Sequence, residues 1–322
     1  MSSLARIAAA LIVCAVLAVA QPGSVAGDGL PAGDVYAAPV FVPGGGLEYT
    51  TVSVGRNTIV QSGERGGRGL VRTTRLRGDW VVPAVAYDGS PGGLSADGRT
   101  LVLINPRRRF PRATTSFAIL DAQRLRLRRL LALDGDFSFD ALSPDGSLMY
   151  LIKYLSPRDQ TRYRVRVFDL RKNRLLAKPV VDPREPPGEM NGIPITRAAS
   201  PDGRWAYTLY DGAEHPFVHA LDTLRRRAVC IDLHALEGRR SGVTGVRLAV
   251  SGDGAALSAE AHGRALASID TTTFEVTDPA QEAEAIPRQE KMPWLLLVVA
   301  ASTLAAAAVV RLMRKPVSTS KT

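Results

Sequence analysis

The sequence predicts an all-β protein assembled from repeated four-stranded units, and three observations carry that prediction. A turn-forming stretch returns four times, a second landmark follows each copy in the same order, and the intervening runs read as short strands. The turn copies are "GLSADGRTLVLI", "ALSPDGSLMYLI", "AASPDGRWAYTL" and "AVSGDGAALSAE". Their aspartates, Asp97, Asp145, Asp202 and Asp253, lie 48, 57 and 51 residues apart. The second landmark, in runs such as "VRVFDLRKNRLL" and "VHALDTLRRRAV", carries Asp121, Asp169, Asp222 and Asp270.

Each element of the unit has a physical reason. Pro pre-sets the backbone of a type I turn, Asp hydrogen-bonds nearby main chain, and the glycines Gly98, Gly146, Gly203 and Gly254 accept the left-handed conformation that follows. Such a turn joins antiparallel strands. After it come a run like "SLMYLIKY", a loop, an alternating strand like "RYRVRVFDL", a polar bend and a fourth strand. Upstream, "LEYTTVSV", "NTIVQSGE" and "LVRTTRLRGDWVV" supply three strands of a further unit. A four-stranded sheet buries both faces only against neighbours, so radial stacking into a β-propeller of five blades over residues 40–279 is the expected architecture. An open β-solenoid or a sandwich is the alternative, since both share short strands and turn signals.

The S-P-D-G turn followed by an apolar strand and a later "VFDL"-type strand resembles the TolB-type, WD40-like propeller repeats of bacteria, over residues 92–278. The run "TRAASPDGRWAYTLYDG" with "PFVHALDT" is also similar to a family of exported, membrane-anchored bacterial proteins. The resemblance implies a fold and no activity. Pro144 and Pro201 hold the turn in two copies, whereas Ala96 and Gly252 replace it in the others.

The ends of the chain predict an address. Residues 1–26 read as a signal peptide, with Arg6, the uncharged run from Ile7 to Ala20, and small-x-small cleavage sites ending at Ala20 and Ala26. Cys14 follows Val13 and so lacks the small residue that lipid attachment requires. After a linker at 27–39, the ectodomain and a juxtamembrane stretch at 280–292, residues 293–311 read as a single spanning helix. Arg311, Arg314 and Lys315 then place the tail, 312–322, in the cytoplasm and the bulk outside it. The net charge of +10 is mostly a property of these ends: without Arg6, Lys291, Arg311, Arg314, Lys315 and Lys321, 35 basic residues face 31 acidic ones. A nucleic-acid partner is not expected. Apart from Cys14 the one cysteine is Cys230, in the apolar run "AVCIDL", so no intramolecular disulfide is expected and the thiol reads as buried.

Candidate sites are few. The Pro- and Gly-rich excursion "DPREPPGEMNGIP", 182–194, accounts for the longest repeat spacing and offers Glu185, Glu189, Met190 and Asn191 as binding residues. Arg107, Arg108 and Arg109 head a series of arginine-rich runs that would present a basic face to anionic headgroups or wall polymers. In "RLRLRRL", alternation with leucine is also how an outer strand guards its edge. Asp134, Asp136 and Asp140 alternate in "LDGDFSFD", but Phe139 stands where a calcium loop needs Gly, so no metal is expected. His215, His219, His234 and His262 form no zinc motif, and neither a nucleophile elbow nor a phosphate loop is found. No catalytic residue or cofactor is assigned. The expected function is a membrane-tethered scaffold binding another envelope component, with a small-molecule or polymer ligand left open. The alternative is a hydrolase or lyase at the channel mouth, for which Asp88, Asp140 and Asp211 are the carboxylates that would have to converge.

Overall fold

The computed structural model describes residues 38–67, 69–185, 189–238 and 242–278. The expected signal peptide and spanning helix lie outside them, and among the described residues no helix is long and apolar enough to cross a membrane. The chain runs through consecutive antiparallel meanders. The first contains β1 (Val40–Phe41), β2 (Leu47–Val54), β3 (Asn57–Glu64) and β4 (Leu70–Arg77), paired in chain order. The second has β5 (Thr100–Ile104), β6 (Thr114–Asp121) and β7 (Arg126–Asp134). Its first strand is reduced to single bridges, Val81 with Ile104 and Leu94 with Leu101. The third contains β8 (Phe137–Leu142), β9 (Leu148–Tyr154), β10 (Arg162–Asp169) and β11 (Arg174–Leu175). The fourth has β12 (Met190–Ala199), β13 (Trp205–Gly212), β14 (Phe217–Asp222) and β15 (Arg227–Asp232). The fifth contains β16 (Arg247–Val250), β17 (Ala256–Ala261), β18 (Arg264–Asp270) and β19 (Val276–Thr277).

Two boundaries differ from expectation. The run "LVRTTRLRGDWVV" is split: β4 ends at Arg77, Gly78 turns the chain at φ +102°, and Trp80 enters the core shared with the second meander. The excursion 182–194 is not all loop, because Met190 and Asn191 open β12. Gly192 and Pro194 disguise that strand, which tolerates the proline through a register shift between Pro194 and Thr196. Its first residues pair with β10, Arg162 opposite Asn191 and Tyr163 opposite Met190, and fuse the third and fourth meanders into one sheet.

The four repeat turns share one construction. In each, the Asp accepts a hydrogen bond from the Ser hydroxyl two residues before it and from the backbone N–H two residues after it. The Ser oxygen in turn accepts from the N–H five residues on, at 2.9 Å in all four. Gly98, Gly146, Gly203 and Gly254 have φ between +65° and +77°. Serine is therefore the structural partner of the aspartate, and proline is dispensable: the copies with Ala96 and Gly252 close identically. The second landmark caps another turn. Asp121, Asp169, Asp222 and Asp270 accept backbone N–H bonds, and the residue four places on (Leu125, Asn173, Arg226, Phe274) has positive φ.

Apolar clusters fill the junctions between successive meanders. Val60, Leu76, Trp80 and Leu101 join the first to the second, and Phe117, Phe137, Phe139 and Met149 the second to the third. Tyr150, Val165, Ala206 and Leu221 join the third to the fourth, and Leu209, Val218, Ile231 and Leu257 the fourth to the fifth. Each large side chain so buried contributes about 1.5–3 kcal/mol. Every residue of β5 and β8 is buried, as in sheets covered on both faces, whereas β3 and β17 alternate buried and half-buried positions. Among the described residues no apolar cluster joins the fifth meander to the first. The opening strands converge on a common centre: Arg197 of β12 pairs with Asp140 of β8. The segment between the two bridges of the second meander crosses this centre. There Tyr87 N–H donates to Pro194 O at 2.8 Å, and Asp88 N–H to Ile195 O at 3.0 Å.

Candidate functional site

Glu185, Glu189, Met190 and Asn191 line one cavity of about 260 Å³. The opposite wall comes from the β13–β14 connection and β15, with Glu214, His215, Phe217, Cys230 and Asp232. The excursion is held there by side chains that mimic a neighbouring strand. Asp182 accepts the Cys230 N–H at 2.7 Å, and Arg184 donates to the Cys230 carbonyl at 2.6 Å, which satisfies the edge of β15.

The electrostatics divide the acids of this cleft into two sets. Burial pushes Asp182 up, but hydrogen bonds from Arg184 and the Cys230 N–H outweigh it and hold the carboxyl below its ordinary range. Glu189 is also held low, first by a hydrogen bond from Arg162, with Arg164 on its other oxygen at 3.0 Å. These two charges are neutralised within the chain. Glu185 and Glu214 are exposed, and Asp232 meets the ring of His215 at 2.8 Å, so the cleft presents negative charge to whatever enters it. Cys230 is half-buried rather than fully buried, and burial, followed by Asp182, pushes its thiol up to about 12, which keeps it protonated.

The other predicted residues are dispersed. Arg107 is a correction to the basic face. Its side chain is 2% exposed and bonded to Asp136 and Ser138, so it presents nothing to a surface. Arg108 is exposed but paired with Asp79, and Arg109 is exposed. Asp136 is engaged by Arg107 and Arg112, and Asp140 by Arg197. Among the described residues no three His, Cys, Asp or Glu side chains are grouped to hold a metal. Asp88, Asp140 and Asp211 do not converge: Asp140 lines a cavity of about 60 Å³ that neither of the others lines, Asp88 caps its own turn through Ser90, and Asp211 is exposed on β13. No acid–base pair results. The residues that sequence reading did not bring together, Glu214 and His215 of the β13–β14 connection and Asp232 at the end of β15, carry no local motif.

Successive antiparallel meanders packed face to face around a centre define a repeat protein of the β-propeller class. Solved structures of TolB proteins and of a propeller domain are similar to the chain at low identity. It is similar to TolB from Acinetobacter baumannii, at 14% identity over 72% of this chain and 52% of that one, with a TM-score of 0.42. It thus spans about half the length of that TolB. The β-propeller domain of Cps50 (Swd1) from Myceliophteria thermophila is 11% identical over 75% of this chain and 68% of that one, TM-score 0.43. Hydrazine synthase of Kuenenia stuttgartiensis is 16% identical over 73% and 70%, TM-score 0.44. No protein-family model matches the chain. No curated protein matches it.

Proposed function

We propose that the protein is a membrane-tethered, extracytoplasmic propeller of five blades that binds another cell-envelope component through the cleft lined by Glu185, Glu189, Met190, Asn191, Glu214 and His215. The observation that carries this reading is the cleft itself. A repeat-interrupting excursion is pinned against β15 by Asp182 and Arg184, and the cleft carries the exposed Glu185 and Glu214, with Asp232 beside His215. Such a surface selects a partner that brings lysine or arginine side chains, and electrostatic steering speeds the encounter. The tether and the compartment rest on the charge-free run at 294–310 and the amino-terminal signal features. Among the described residues Asp88, Asp140 and Asp211, the carboxylates that the hydrolase alternative needs, do not line one cavity, which favours the binding reading.

In-cell crosslinking of the full-length chain, followed by mass spectrometry, tests the proposal. One partner should be recovered in near-stoichiometric yield and lost from the Glu185→Lys/Glu214→Lys double variant, whose two sites are exposed and so leave the fold intact. Recovery of no protein, or of the same protein in undiminished yield from the double variant, overturns it.

A further inference from the structure

The outer strand β19 has two residues where β15 has six, so that among the described residues the fifth meander leaves part of the facing surface of the fourth uncovered. The result is a groove of about 710 Å³, the size of a small-molecule site. Its wall is aromatic. Trp205 stacks on Tyr207 with ring centroids 6.1 Å apart and meets Phe274 edge-on at 5.3 Å. Tyr207, which lines the groove, is 1% exposed, and its hydroxyl has no hydrogen-bond partner among the described residues. A buried hydroxyl in that condition is costly unless a bound group satisfies it.

Charge is distributed along the groove by the topology. At its outer end, Arg225 in the turn between β14 and β15 and Arg227 at the start of β15 are exposed and have no acidic partner among the described residues. Arg184 and Arg204, by contrast, are committed to Asp182 and Asp222, each at 2.6 Å. At the inner end, Asp202 and Asp253 each engage one carboxylate oxygen in their own turn.

We propose that this groove binds an acidic saccharide, bearing either carboxylate or phosphate. The anionic group meets the two free guanidinium groups, which suit planar bidentate recognition. The C–H face of the sugar ring packs on the electron-rich aromatic wall, its hydroxyls donate to Asp202 and Asp253, and one of them pairs with the Tyr207 hydroxyl. The site shares Asp182 with the acidic cleft but is otherwise lined by different residues and is of opposite selectivity, so each proposal can fail alone.

The test is a tryptophan-fluorescence titration of the full-length chain with tetragalacturonate, glucose 6-phosphate and, as neutral control, maltotetraose. Calorimetry on the same samples covers an optically silent site. At least one acidic sugar should give saturable binding, with an optical signal absent from Trp205→Phe; which of the two binds identifies the anionic group. Arg225→Gln/Arg227→Gln should weaken binding about tenfold or more with an unchanged melting temperature, because both side chains are exposed. Tyr207→Phe should weaken it to a lesser degree. No binding of either acidic sugar, equal binding of maltotetraose, or wild-type affinity in the arginine double variant overturns the proposal.

Discussion

Arg107 and Arg108 are adjacent in the chain and opposite in energetics. The Arg107–Asp136 pair is desolvated, with side chains 2% and 4% exposed, whereas the Arg108 side chain is 79% exposed. Removing one partner of a buried pair strands the other charge, so Arg107→Ala should cost about 3 kcal/mol or more in urea denaturation. Arg108→Ala should cost less than about 1 kcal/mol. His219 gives a second prediction. Burial pushes its imidazole down from 6.5 to about 4, against a smaller opposing influence of Asp140. The unfolded chain therefore takes the proton first as pH falls. The stability from neutral His219 is fully present above about pH 6.5 and is lost towards pH 4, by about 3 kcal/mol. Urea denaturation from about pH 7.5 to about pH 4.5 should show that loss in the wild type and a correspondingly shallower decline in His219→Gln.

The repeat turn is a unit of Ser, Asp and Gly, and its glycine does more than accept a positive φ. A Cβ on Gly203 would collide with the side chain of Ala96, two meanders away, because the turns crowd together near the centre. Gly55 also has positive φ, +61°, but open space around it. Gly203→Ala should therefore destabilise by about 3 kcal/mol and Gly55→Ala by about 1 kcal/mol in thermal or urea melts. The turn aspartates and glycines were legible in the sequence because they answer to local rules, and β2 and β3 match the runs read upstream residue for residue. What was hidden depends on distant partners. Arg107 looked like surface because Asp136 lies 29 residues away. Glu189 looked like loop tip although it neutralises Arg162 and Arg164 on another strand. β12 was obscured by Gly192 and Pro194, whose local signal opposes the strand that tertiary pairing imposes.

Across the whole molecule, stability is unevenly shared. Among the described residues, apolar clusters flank the second and third meanders on both faces, the fourth on both faces except along the groove beside the fifth, and the first and fifth on one, and local opening is easiest where packing is thinnest. Native-state hydrogen exchange should show amides of β3, β4, β17 and β18 exchanging faster than those of β5, β9 and β13; uniform protection would contradict this account. The segment crossing the centre adds a constraint of another kind. Its bond from Arg197 N–H to the Ser90 hydroxyl spans 107 residues, whereas pairing within a meander spans a few tens at most. A chain growing from its amino terminus can complete the first three meanders while the N–H groups of Tyr87 and Asp88 still face water, because their acceptors, Pro194 and Ile195, have not yet been made. The crossing segment is thus a late fastening: a nascent chain halted before residue 194 carries finished sheets around an unsealed middle.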